Sequence, residues 1–168
     1  TEAMQKVATA IREGAGAFMK RQYKTIGLIS LLLSIALFLA YALSGKTVFG
    51  FQTCLAFILG AASSAVSCMV GMSLAVRSNV RSAAASKRSF NEALMVAFRG
   101  GAVSGLFIVA LSLLGIAGIF LIYRLFGYEV TQIPSLIIGY GFGASLVALF
   151  AQLGGGIYTK AADVGADL

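Results

Sequence analysis

The stretch TIGLISLLLSIALFLAYAL, Thr25–Leu43, contains no charged residue, and the chain holds three more long, predominantly apolar stretches. They run roughly over Val48–Val76, Asn91–Phe126 and Pro134–Lys160. A helix rises about 1.5 Å per residue, so each is long enough to cross a hydrocarbon core of about 30 Å. A soluble core of this size cannot absorb that much apolar surface. Of the 168 residues, 59% are hydrophobic and 11% are charged, where an ordinary soluble domain has about 25% charged. The expectation is an all-α integral membrane helical bundle with about four transmembrane helices, read as one domain or part of one over residues 1–168.

The third stretch, at about 54 Å as a helix, exceeds the bilayer core and should project into water at one end. Pro134 suits the first turn of the fourth helix, where its missing N–H is harmless. Ahead of the first span, Met4, Val7, Ala8, Ile11, Ala15 and Phe18 fall on one face at helical spacing, with Lys6, Arg12, Glu13 and Lys20 off it. This segment reads as an interfacial or juxtamembrane extension of the first span.

The net charge of +7 could suggest a nucleic-acid partner. The basic residues instead flank the apolar stretches, which is a topology signal for a lipid membrane. Lys6, Arg12, Lys20, Arg21, Lys24, Arg77, Arg81, Lys87, Arg88, Arg99 and Lys160 lie on one side, and only Lys46 and Arg124 on the other. By the positive-inside rule the first side is cytoplasmic, so both ends of the chain are expected there. Cys54 and Cys68 are fourteen residues apart in one helical stretch, about 21 Å, and cannot bridge each other. They read as small packing residues. Gly101 with Gly105, Gly139 with Gly143, and Ser67 with Gly71 have the spacing that lets helix backbones approach closely.

The segment GGGIYTKAADVGADL, Gly154–Leu168, carries charge at the end of an apolar helix. At about 100° per residue, with Lys160 set at 0°, Asp163 falls near −60°, Asp167 near −20°, Gly156 near −40° and Gln152 near −80°. One face therefore bears a lysine and two carboxylates on successive turns. Like charges at i, i+4 repel unless a cation compensates them. Mg²⁺ takes one or two carboxylates together with waters and phosphate oxygens, and a lysine one turn away suits a phosphate as a point charge. The alternative is a solvated helix end with a Lys160–Asp163 pair. Thr159 and Ala161 flank Lys160, so the segment is not a P-loop. GYGFGAS is not a GxGxxG turn, and the absence of His excludes Ser–His and Cys–His nucleophiles within the chain.

GGGIYTKAADVGADL resembles the signature segment of membrane-bound, ion-pumping pyrophosphatases. IREGAGAFMKRQYKTI, AVRSNVRSAA, ALMVAFRGGAVSGL and GYGFGASLVALFA extend the resemblance in the family's order over nearly the whole chain. The resemblance implies a homodimer of subunits with roughly sixteen helices. Such a pump hydrolyses magnesium pyrophosphate at the cytosolic face and moves H⁺, or in a second reading Na⁺, across a prokaryotic cell membrane or the membrane of an acidic compartment. It implies Lys160 as a substrate contact, Asp163 and Asp167 as Mg²⁺ ligands within the site segment 152–168, and Gln152 on the ion path. Many family members have Arg at the position of Gln152, so the gate's ion pairs differ here. A polar side chain hydrogen-bonded to a neighbouring helix is the alternative for Gln152.

The chain reads as an excerpt, the second to fifth helices of the family. Other carboxylates of the site and the determinants of ion choice and K⁺ dependence are expected outside it, so the 168 residues alone should be inactive. A different reading is a small four-helix membrane module, a transporter half or an assembly subunit, with a charged cytoplasmic contact helix.

Overall fold

A computed structural model describes residues 1–167. It consists of four long helices: α1 (Glu2–Leu43), α2 (Thr47–Ala85), α3 (Phe90–Leu125) and α4 (Ile133–Asp167). Among the described residues there is no strand. All four helices are long and apolar enough to cross a membrane.

The helices run past the ends of the apolar stretches. α1 continues unbroken for 42 residues, about 63 Å. The segment before the first span is thus continuous with it in one helix. That segment holds no proline, the chain's only one being Pro134 in the first turn of α4, and its Gly14 and Gly16 stay within the helix. α1 and α3 end in the same way. Gly45 and Gly127 take positive φ values of 73° and 84°. Gly45 N–H donates to the Ala42 carbonyl and Lys46 N–H to the Tyr41 carbonyl. Gly127 and Tyr128 repeat that pattern onto Arg124 and Tyr123. Both glycines reverse the chain sharply while satisfying carbonyls that the helix end leaves open. α3 begins at Ser89, whose hydroxyl accepts from Glu92 N–H at 3.1 Å. The Glu92 carboxylate turns to Arg88, accepting from its Nε at 2.8 Å. That hydrogen bond holds the Glu92 carboxyl below the ordinary carboxylate range.

α2 is the central helix, touching each of the other three, and its most extensive partner is α4. These two run parallel, with Thr53 against Gly139 and Phe57 against Gly143. Their backbones nearly touch. A Cβ on Gly143 would overlap the Phe57 carbonyl oxygen, one on Gly139 the Thr53 carbonyl oxygen, and one on Gly60 the Tyr140 carbonyl oxygen. Small residues there are a steric requirement, the usual means of close helix approach in lipid. Around this seam Phe57, Leu136, Tyr140 and Val147 are buried. Tyr140 also reaches α3, where its hydroxyl lies against Gly115.

The small-residue pairs divide. Gly139 and Gly143 form the seam, whereas Gly101 and Gly105 have open space where a side chain would go. Gly71 lies against Ser104 only at ordinary contact distance, 3.9 Å from its would-be Cβ. Most large apolar side chains face outward, including Leu31, Leu106, Leu113 and Leu149. In water that arrangement would be untenable, but a lipid environment accepts it. Cys54 and Cys68 are free, and the Cys54 thiol donates to the Ser34 carbonyl at 3.1 Å.

Candidate functional site

α4 has two faces, and the packed one lies ahead of the charged residues along the helix. Gly139, Gly143, Val147 and Gly154 are buried; on a helical wheel with Lys160 at 0° they centre near 100°. Lys160, Asp163, Asp167, Gly156 and Gln152 centre near −40°, about 140° away around the helix. One face is therefore fixed against α1 and α2, and the charged face is open. All five residues of the open face are exposed. Lys160 Nζ stands 3.5 Å from Asp163 Oδ2, with side chains 84% and 59% exposed. Asp167 follows one turn beyond. Gln152, Gly156 and Lys160 line a shallow groove together with Leu149, Leu153 and Ile157. Gln152 makes no hydrogen bond among the described residues, so it is not held by a neighbouring helix of this chain.

Asp163 and Asp167 are about 6 Å apart at Cβ by helix geometry, and both are solvated rather than tied into helix packing. Two such carboxylates fit part of a magnesium shell, since that ion keeps several waters and takes its remaining oxygens from phosphate. They do not make a full cage. Among the described residues no three His, Cys, Asp or Glu side chains converge. The Lys160 ammonium lies beside them on the same open face, 3.5 Å from Asp163.

What orients this face is the contact behind it. Gln22 of α1 donates from Nε2 to the Phe150 carbonyl of α4 at 2.6 Å. That carbonyl has a second lone pair, so it can accept from Gln22 as well as from its own helix. The Gln22 amide lies in the space a side chain at residue 154 would need. This explains the first glycine of the GGG run. One turn further on, Tyr158 packs against Phe18 in a tilted pair with ring centroids 5.4 Å apart, and its hydroxyl donates to the Ile11 carbonyl at 3.4 Å. The extension of α1 is therefore a brace for the charged end of α4.

The sequence reading passed over Gln22, Tyr158 and Gly60. For Gln22 a signal existed: it follows Ala15 and Phe18 at i+7 and i+4 and precedes buried Ile26 by four residues, which puts it on the packed face of α1. Replacing Gln22 by Leu keeps the bulk and removes the donor. The expected result is a loss of about 1 kcal/mol of stability, the ordinary worth of an interhelical hydrogen bond in a membrane. A thermal unfolding midpoint in detergent reads it, and an unchanged midpoint would contradict the brace.

The family described as inorganic H⁺ pyrophosphatase matches residues 1–168. A K(+)-insensitive pyrophosphate-energized proton pump of Caldanaerobacter subterraneus subsp. tengcongensis is 51% identical over 99% of this chain and 25% of its own length. K(+)-insensitive pyrophosphate-energized proton pump 2 of Moorella thermoacetica is 54% identical over 98% of this chain and 23% of its own. Pyrophosphate-energized membrane proton pump 3 of Arabidopsis thaliana is 43% identical over 98% and 23%. The chain spans about a quarter of the length of these curated relatives. With the family matching from the first residue to the last, and with four membrane-crossing helices to match it, the chain belongs to the inorganic H⁺ pyrophosphatase family.

Proposed function

We propose that this chain is the part of a pyrophosphate-energised proton pump that presents a substrate-binding helix at one face of the membrane. The observation that carries the reading is the division of α4, with one face fixed by Gly139, Gly143 and Gly154 and the opposite face bearing Lys160, Asp163 and Asp167. A helix held this firmly can present charged groups to a small anion at fixed positions. The names of the relatives support pyrophosphate as that anion and H⁺ as the ion moved.

In this proposal Asp163 and Asp167 hold Mg²⁺, and Lys160 contacts a phosphate oxygen. Bound there, Mg²⁺ would screen the negative charge of pyrophosphate and of the departing phosphate. Lys160 adds a charge that needs no proton transfer. Neither aspartate alone is assigned the orientation of the attacking water, because both are committed to the metal. Gln152, eight residues or about 12 Å further along the same face, is proposed as a neutral lining residue of the proton path. The distribution of Lys and Arg supports a cytosolic Lys160 face and cytosolic ends of this chain. Homodimerisation of the whole protein is part of the proposal by family membership. The relatives named K(+)-insensitive support activity without K⁺. A stand-alone four-helix module is the weaker reading, since the similarity to pump segments covers almost the whole chain.

The test uses the full-length protein in sealed vesicles, with magnesium pyrophosphate outside and choline replacing K⁺. Acidification of the lumen together with phosphate release is expected. The 168-residue polypeptide alone should give neither, since most of the metal shell is not in it. Phosphate release without acidification would overturn the pump, and no phosphate release would overturn the whole reading.

A further inference from the structure

α2 and α3 alone build a second groove, on surfaces that contribute nothing to the Lys160 face. Arg81, Arg88 and Arg99 line the part toward the α2–α3 turn, with Val96 among them, and Leu74 and Val103 line the deeper part. Gly100 forms the floor, where Ser78 fills the space a side chain would need. The residues are ordered by depth. Arg88 lies in the turn after α2, Arg81 about 10 Å along the axis from it, and Leu74 about 10 Å further. The sequence places this gradient at the membrane boundary. Arg99 is the last charge before the uncharged run Gly100–Tyr123, and the uncharged run Thr47–Val76 of α2 ends just before Arg77.

We propose that this groove binds an anionic phospholipid, its phosphate between Arg81 and Arg99 and an acyl chain along Leu74 and Val103. Charge complementarity favours this occupant. Three guanidinium groups meet one carboxylate, Glu92, and that carboxylate is engaged by Arg88. Among the described residues Arg81 and Arg99 have no ion-pair partner. Guanidinium groups hold phosphate through paired N–H donors, which an ammonium cannot do. The apolar half decides between a lipid and a free anion. Leu74 is half-buried and Val103 is 54% exposed, so a soluble phosphate would leave that surface uncovered, whereas a diacyl lipid covers it. Each arginine near a charged membrane surface is worth about a five-fold preference for an anionic lipid.

The experiment uses the full-length protein in bilayers doped with a photoreactive phosphatidylglycerol or a phosphatidylcholine of the same chains, with labelled peptides mapped by mass. Phosphatidylglycerol is expected to label the peptides containing Leu74 and Val103 in preference to phosphatidylcholine. R81Q/R99Q should reduce that preference by about thirty-fold, and R124Q, at the opposite end of α3, should leave it unchanged. The wild-type comparison stands even where the double variant fails to fold. Equal labelling by the two lipids would overturn the proposal. So would an absence of label on these peptides, which would mean that another helix of the protein fills the groove. Loss of the preference in millimolar inorganic phosphate would assign the arginines to a soluble anion and overturn it as well.

Discussion

Asp163→Asn or Asp167→Asn in the full-length protein is expected to lower pyrophosphate hydrolysis by about a hundredfold or more while leaving the fold intact. The substitution keeps shape and removes charge. The Asp163 side chain is 59% exposed, and its 3.5 Å contact with Lys160 is at the surface. Such a pair is worth about 0–1 kcal/mol, so stability should move by less than that. Asp167 is also exposed. If the two carboxylates hold magnesium, activity falls without any loss of stability, and extra Mg²⁺ recovers part of it. If they only solvate a helix end, neither activity nor its dependence on Mg²⁺ changes. Wild-type turnover by a purified D163N/D167N variant would refute the metal assignment.

The largest effect on folding is expected at the α2–α4 seam. Gly143→Leu and Gly60→Val each place carbon atoms inside a carbonyl of the facing helix, Phe57 in one case and Tyr140 in the other. The obstacle is backbone, so no rotamer change relieves it, and the helices must separate. A loss of about 3 kcal/mol or more is expected for each, the upper range for overpacking. It would be read as loss of monodisperse protein in detergent. Gly101→Leu and Gly105→Val are the matched controls, since open space surrounds both positions. They should change stability little. Every one of the four substitutions raises helix propensity, so equal damage from all four would contradict the contact argument.

The all-α membrane class was legible in the sequence because apolar length against bilayer thickness leaves few alternatives. The shared face of Lys160, Asp163 and Asp167 was legible too, since helical phase fixes it as soon as the tail is read as a helix. The pairing of helices was not. Gly101–Gly105 and Gly139–Gly143 have identical spacing, and only one pair meets a neighbour, because spacing describes a surface and not what lies across from it. The seam partner Gly60 has Ser64 at i+4, the same kind of pair as Ser67 with Gly71, so spacing alone does not single it out. The brace was hidden for another reason. Gln22 sits in the basic run MKRQYK, where charge drew attention to topology. Its partner is a backbone carbonyl, which no side-chain pattern can announce.

The glycine seam also restricts how the helices can slide. Along the packed face of α4, Gly139 and Gly143 are followed by Val147 and preceded by Leu136. Moving α4 one turn along α2, about 5.4 Å, would bring Val147 over the Phe57 carbonyl or Leu136 over the Thr53 carbonyl. Neither fits where a single Cβ already collides. Axial translation between these two helices is blocked in both directions. Along the helix axis, α2 and the part of α4 from Leu136 to Val147 therefore behave as one unit.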